Sequence, residues 1–281
     1  KALPDLLHAA GSPVRDVRGA ALELASPLGT DEATARWVDQ AQASGPEVRA
    51  EIIGMLGRRG DAAALPFVRE SLRSHDEIVR LAAIPAAVRL GGEAILPDFF
   101  GRVGAAGENE AAALKTALLG FDGRRVVPES FRLLDSTPLP GKAALIEVLG
   151  EKGARQEIDR VFTLAGDEEE ATRAAALGAL SKLAGEADIP RLVEMVENAS
   201  DSDAILRLQE AVAAAARRET DPGRRGASLI RLTKNAAPGR RIAVLRVLPK
   251  VGGERALREA VEETASTDSQ VQTAAVYALS Q

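Results

Sequence analysis

His8 and His75 are the first side chains to weigh, because imidazole is the group best suited to proton transfer or metal ligation near neutral pH. Neither has the company that such work requires. The chain contains no cysteine, which excludes thiolate ligands, thiol nucleophiles and disulfide bonds. There is no HExxH pair, no GxSxG elbow, no phosphate-binding P-loop and no dinucleotide fingerprint. The nearest approach to a ligand set is His75-Asp76-Glu77, and it reads as a helix start. Asp76 can cap the first N–H groups, and Glu77 suits the positive end of the helix dipole. The acidic run from Asp167 to Glu170 has the same reading. The glycine pairs Gly91-Gly92 and Gly252-Gly253 read as helix stops. No catalytic residue, metal ligand or cofactor site is expected.

The strongest chemical signal is electrostatic. The chain carries a net charge of −5, yet between Arg217 and Arg258 twelve arginines and lysines face only Glu219, Asp221 and Glu254. That segment is +9, which leaves −14 for the remainder. Arg217, Arg218, Arg224, Arg225, Arg240 and Arg241 are therefore candidate partner-binding residues. They imply an anionic partner, whether an acidic protein segment, a polysaccharide, lipid headgroups or nucleic acid, with a solvated arginine-rich surface as the alternative. A protein partner is favoured over nucleic acid, because the chain as a whole is acidic.

These side chains ride on a repeating pair of helices. In Ala171–Glu197 the apolar residues Ala176, Leu177, Leu180 and Leu183 form one helical stripe, and Leu192, Val193 and Val196 a second. Pro190 falls in the first turn of the second helix, where its missing N–H costs nothing. Counting from Arg173 as zero, steps of 31 residues backward meet Lys142, Ala111, Arg80, Arg49 and Arg18. Position 11 is Gly29, Gly60, Gly91, Asp122, Gly153 and Ala184, mostly a helix-ending glycine. Position 17 is Ala35, Pro66, Pro97, Pro128, Asp159 and Pro190, the expected start of the second helix. Position 2 is a small residue in all but Glu51. Beyond Arg173 the anchor recurs at Arg207 and Arg241, each after 34 residues, because of insertions in Asn198–Asp203 and Arg218–Gly226. The copies run near 14–44, 45–75, 76–107, 108–138, 139–169, 170–203, 204–236 and 237–268, with half a copy at 269–281. The half copy, with apolar Val271, Ala275, Val276 and Leu279, is expected of a piece excised from a longer chain.

Composition agrees with closely packed helices. Hydrophobic residues make up 46% of the chain but aromatics only 3%, so the core must be aliphatic. The longest apolar runs are far too short for a membrane span. Lys1 opens directly into a helical pattern and no leader peptide is seen. The lack of cysteine suits a bacterial cytoplasmic protein as well as a periplasmic or secreted one.

Paired helices with an arginine early in the first, an alanine-rich stripe, Leu-Gly or Arg-Gly at its end and Leu-Pro opening the second resemble HEAT repeats. They are most similar to the short bacterial type found in phycobilisome lyase subunits. The resemblance implies an all-α, right-handed α-solenoid of about eight antiparallel helix pairs whose second helices line a concave, ligand-facing side. It implies a non-catalytic protein-interaction scaffold, monomeric in isolation, binding through that face and the basic C-terminal copies. Phe100, Phe131 and Phe162 share position 20 of the second helices and are candidate groove aromatics, with core packing as the alternative. Trp37 occupies position 19, a core column shared with Val68, Phe99, Val161 and Leu192. The anchor arginines are either a cationic ladder or local tethers to turn carbonyls and acids, such as Asp76 for Arg80 and Asp203 for Arg207. Other readings stay open: a DNA-binding, glycosylase-like member, a lyase-like subunit, or an accessory region of a larger enzyme. The His-Glu pairs of HEAT-like deoxyhypusine hydroxylases are lacking.

Overall fold

The computed structural model describes residues 2–27, 30–221 and 224–281. The readings placed on Lys1, on Gly29 as a helix stop, and on Pro222 and Gly223 within the enlarged loop lie outside the described residues. Helix α1 (Leu3–Ala10) comes first. Then follow the pairs α2 (Arg15–Ala25) and α3 (Asp31–Ala43), α4 (Pro46–Arg59) and α5 (Leu65–Ser71), α6 (Glu77–Gly91) and α7 (Leu96–Val103), and α8 (Glu108–Leu119) and α9 (Gly123–Leu133). The order continues with α10 (Gly141–Glu151) and α11 (Ile158–Leu164), α12 (Glu170–Leu183) and α13 (Ile189–Asn198), α14 (Ser202–Arg217) and α15 (Ala227–Thr233), and α16 (Pro238–Val251) and α17 (Glu254–Glu263). Helix α18 (Ser269–Leu279) closes the sequence. No strand occurs among the described residues. The fold is an all-α solenoid of antiparallel helix pairs.

The chain divides into two compact bodies, Lys1–Leu145 and Ile146–Gln281, with the boundary inside α10. In the first body α4 packs on α6 and α6 on α8, while in the second α12 packs on α14 and α14 on α16. First helices thus stack on first helices, as the 31-residue period requires.

Local chemistry explains where the helices start and stop. Thr30 Oγ1 accepts the N–H of Ala33 at 3.1 Å, and Asp201 Oδ2 that of Ala204 at 2.9 Å, so each side chain satisfies an orphan donor. Pro66, Pro97 and Pro190 lie in the first turn of α5, α7 and α13, each preceded by a short 3-10 turn. Pro128 departs from the expected column: α9 begins at Gly123 and encloses it. Asp122 caps that helix by accepting the N–H of Arg124 at 2.8 Å, so the helix nucleates five residues early. Asp76 occupies the N-cap position of α6 but makes no capping bond with its side chain. The adjoining turn is held instead by Arg80, which donates to the Ser74 and His75 carbonyls, each at 2.8 Å. Gly92 at φ 49° and Gly252 at φ 70° end α6 and α16 in backbone regions closed to most side chains.

The stripes pack as their spacing predicts. Ala176, Leu177, Leu180 and Leu183 are buried, as are Leu192, Val193 and Val196. Every residue named for column 19, Trp37 included, has no exposed surface. The closest helix approaches use a pair of columns that the sequence did not single out. Position 8 is glycine at Gly57 and Gly150, and each faces the alanine at position 6 of the next copy, Ala86 and Ala179. A methyl group on Gly57 would lie 2.7 Å from the Ala86 Cα, and one on Gly150 2.8 Å from the Ala179 Cα.

Candidate functional site

The anchor arginines are spent inside the fold. Arg49 donates to the carbonyls of Ala41, Gln42 and Ser44 at 3.1–3.2 Å, satisfying the open end of α3. Arg173 donates to Asp167 O and Glu168 O, and Arg18 to Ser12 O and Pro13 O. Arg207 meets Asp203 at 2.8 Å, as the i, i+4 spacing predicts. Arg80 pairs not with Asp76 but with Glu110, at 2.8 Å, because its guanidinium reaches across to the next copy. Arg18 does the same with Glu51, through two bonds of 2.7 and 2.9 Å. Further ion pairs, Arg69 with Asp98, Arg155 with Asp188, Arg191 with Asp159 and Lys182 with Glu151, also join residues 29–33 apart in sequence. These are tethers between adjacent copies, and a free cationic ladder is not available.

The Arg18 hydrogen bonds hold the Glu51 carboxyl below the usual carboxylate range, against the opposing effect of its burial. A lowered folded-state pKa adds stability above the unfolded value, about 4.3, and that stability is lost as pH falls through the folded value. The urea stability of wild type minus that of Glu51→Gln is therefore expected to be constant near neutrality and to shrink below about pH 4. A difference that grows with acid would contradict the sign.

The basic segment is largely neutralised by acids, most of them outside it. Arg217 donates to Glu210 at 2.7 Å and to the Lys250 carbonyl at 2.8 Å, and these contacts lower the pKa of Glu210, the Arg217 bond most of all. Arg240 reaches Glu197 at 3.2 Å and Arg231 reaches Glu186 at 3.3 Å. Arg241 forms a fork with Glu263, its Nε at 2.9 Å, and Arg218 donates to the Lys182 carbonyl. Arg225 contacts Glu219 O at 3.4 Å, and the exposed Arg224 lies 3.5 Å from Asp221. Of the six arginines singled out, Arg241 and Arg240 are thus tethers, and Arg224 is the most open to solvent.

Lys234 and Arg255 make no hydrogen bond or ion pair among the described residues, and both are exposed. They border a groove of about 320 Å³ between α15 and α17, with Arg231, Arg258, Glu259 and Glu262. Ala227 and Ile230 supply its apolar floor. Linear charge counting pointed at the segment but not at these two residues.

Phe100 and Phe131 lie in the first body and are 7% exposed; Phe162 lies in the second at 4%. All three belong to the core, which corrects their candidacy as open groove aromatics. A helix packed on its partner and on a neighbouring copy covers two adjacent columns, 19 and 20, because they lie only about 100° apart. Phe162 is also roofed by the Arg191 guanidinium, 4.1 Å from the ring centre. No group of three or more His, Asp or Glu able to hold a metal occurs among the described residues. No helix among them is long and apolar enough to cross a membrane.

HEAT repeats, as a described family, match residues 34–118 and 128–213, more than half of the chain. The solved structures with similar architecture include the karyopherin Kap121p bound to the extreme C-terminus of the protein phosphatase Cdc14p. That likeness has a TM-score of 0.62 at 16% identity and covers 98% of this chain and 37% of the karyopherin. Kap121p bound to Ste12p gives 0.59 at 15%, covering 98% and 36%. The complex of CpcE and CpcF of phycocyanin lyase from Nostoc sp. PCC7120 gives 0.32 at 18%, covering 66% of this chain and 98% of that one. This chain spans little more than a third of the karyopherin's length. No curated protein matches the sequence.

Proposed function

The chain belongs to the HEAT-repeat family, and on that footing we propose that it is a non-catalytic scaffold that binds an acidic segment of a partner protein. The observation that carries this reading is the pair of unpartnered cations, Lys234 and Arg255, beside a groove on the second-helix face of α15 and α17. The other cations of the segment are held by internal acids or carbonyls. An extended peptide alternating acidic and apolar residues would match that groove, its carboxylates on Lys234 and Arg255 and its apolar side chains over Ala227 and Ile230. The Kap121p chains are seen with protein segments bound, and the same use of the fold is proposed here. Trp37 is fully buried, which disfavours the glycosylase-like alternative, since its ring offers no face to a base.

The test is fluorescence anisotropy with a labelled twelve-residue peptide of alternating Glu and Leu. Lys234→Glu with Arg255→Glu is expected to weaken binding at least tenfold, about 1.4 kcal/mol. Arg224→Glu should change it less than twofold. Equal affinity for the double variant and wild type would remove this groove as the site. Tighter binding of a single-stranded oligonucleotide, falling steeply with salt, would replace the protein partner with nucleic acid.

A further inference from the structure

A second surface lies on the opposite helix row, and its chemistry is different. The first helices α14, α16 and α18 frame a groove of about 860 Å³ lined by Ile205, Leu206, Ile242, Tyr277, Ala274 and Arg246, among others. Leu206 and Tyr277 are 57% and 59% exposed, an unusual state for large apolar side chains facing one another across a groove. Helix α18 carries no charged residue along its eleven positions. No carboxylate lines the groove, and Arg246 makes no ion pair or hydrogen bond among the described residues. Arg246 differs in this from Arg217, Arg240 and Arg241 in the same body, each of which has an acid.

The first body contains the equivalent groove, framed by α2, α4 and α6, with a volume of about 640 Å³. There the chemistry closes on itself. Arg15, Arg18, Glu47, Glu51 and Arg58 line it, and Arg18 and Glu51 pair across it. Position 5 of the middle helix is Gly54 in that groove and Arg246 in the other. The groove is thus a product of repeat geometry, whereas the apolar walls and the single unpaired cation belong to the C-terminal one.

We propose that the α14–α16–α18 groove docks an amphipathic helix of a partner protein, with one carboxylate of that helix on Arg246. Its apolar stripe lies on Leu206, Ile205, Ile242 and Tyr277, and its axis runs over α16 between the ridges of α14 and α18. A helix suits the site better than an extended strand. Its main-chain groups bond to one another, and the groove offers no sheet edge to satisfy those of a strand. The lone cation sets register, since an apolar contact without a fixed charge would let the helix slide. This surface is separate from the basic groove of α15 and α17 and does not depend on it.

The test selects from a displayed library of eighteen-residue helical peptides, apolar at i, i+3, i+4 and i+7 and randomised elsewhere, on the immobilised 281-residue chain. The selected peptides are expected to share one acidic residue beside the apolar stripe. They should bind Leu206→Asp, Tyr277→Asp and Arg246→Glu at least tenfold more weakly than wild type. Changing the peptide's acid to lysine should restore binding to Arg246→Glu. Lys234→Glu with Arg255→Glu should bind them as wild type does, which separates this proposal from the preceding one. The altered residues are exposed, and far-UV circular dichroism checks that each variant keeps its helices. The proposal is overturned if no peptide is enriched, or if the winners ignore Leu206→Asp and Tyr277→Asp. Winners that lack an acid and ignore Arg246→Glu overturn it too. So does a wild-type dimer in sedimentation that Leu206→Asp dissolves, because the occupant is then a second copy of the chain.

Discussion

Glu110→Ala is expected to lower the unfolding free energy by about 3–5 kcal/mol, the cost of breaking a buried ion pair from one side. The Glu110 side chain is only 1% exposed and lies between two guanidiniums, Arg80 at 2.8 Å and Arg102 at 2.8 and 3.0 Å. Both arginines are themselves mostly covered, at 15% and 20% exposure, so water cannot readily replace the lost carboxylate. The effect exceeds that of a surface pair because two desolvated cations are stranded at once, where an exposed pair contributes at most about 1 kcal/mol. The midpoint of thermal unfolding should fall by roughly 10 °C for a body of this size. Arg102→Ala should cost less, since Glu110 keeps Arg80. Urea titrations of the two variants give the comparison, and a loss below about 1 kcal/mol for Glu110→Ala would show that the carboxylate is dispensable.

Gly150→Ala and Gly178→Ala are expected to shift stability in opposite directions, although each adds one methyl group to a helix. Around Gly178 nothing lies within 4 Å of the new Cβ. The substitution there restores ordinary helix propensity and should stabilise by about 0.5–1 kcal/mol. At Gly150 the same methyl would stand 2.8 Å from the Ala179 Cα and 2.9 Å from its Cβ. Apolar carbons prefer about 3.5–4 Å, so α10 and α12 must separate, at a cost of about 1–3 kcal/mol that outweighs the propensity gain. The two variants should differ by about 2–3 kcal/mol in chemical denaturation. Gly57→Ala, against Ala86, should follow Gly150→Ala. Equal behaviour of Gly150→Ala and Gly178→Ala would remove the close approach as a determinant of the stack.

The helix pairs were legible in the sequence because two periods coincide there. Apolar residues recur every 3.6 positions within a helix, and whole columns recur every 31 residues. Trp37 could be placed in the core from its column alone. Pro128 shows where this fails, since a column average cannot register that Asp122 caps one helix earlier than its counterparts. The site was harder to see. The +9 segment is real as a sum, but Arg231, Arg240 and Arg241 find Glu186, Glu197 and Glu263 at separations of 45, 43 and 22 residues. Those pairings are properties of packing and leave no local trace. The cations that matter are the ones without a partner, and a linear reading cannot tell them from the rest.

The tethers between neighbouring copies bear on how such a chain can be inherited. Tandem copies of similar sequence invite unequal recombination, which deletes or duplicates one whole period. Here the product would be damaged at the join. Loss of residues 45–75 would keep the phase of every helix, yet it would put Ala82 where Glu51 stands and leave Arg18 without its carboxylate. Each copy is therefore addressed to the copy beside it, and their order along the chain is part of what the sequence encodes.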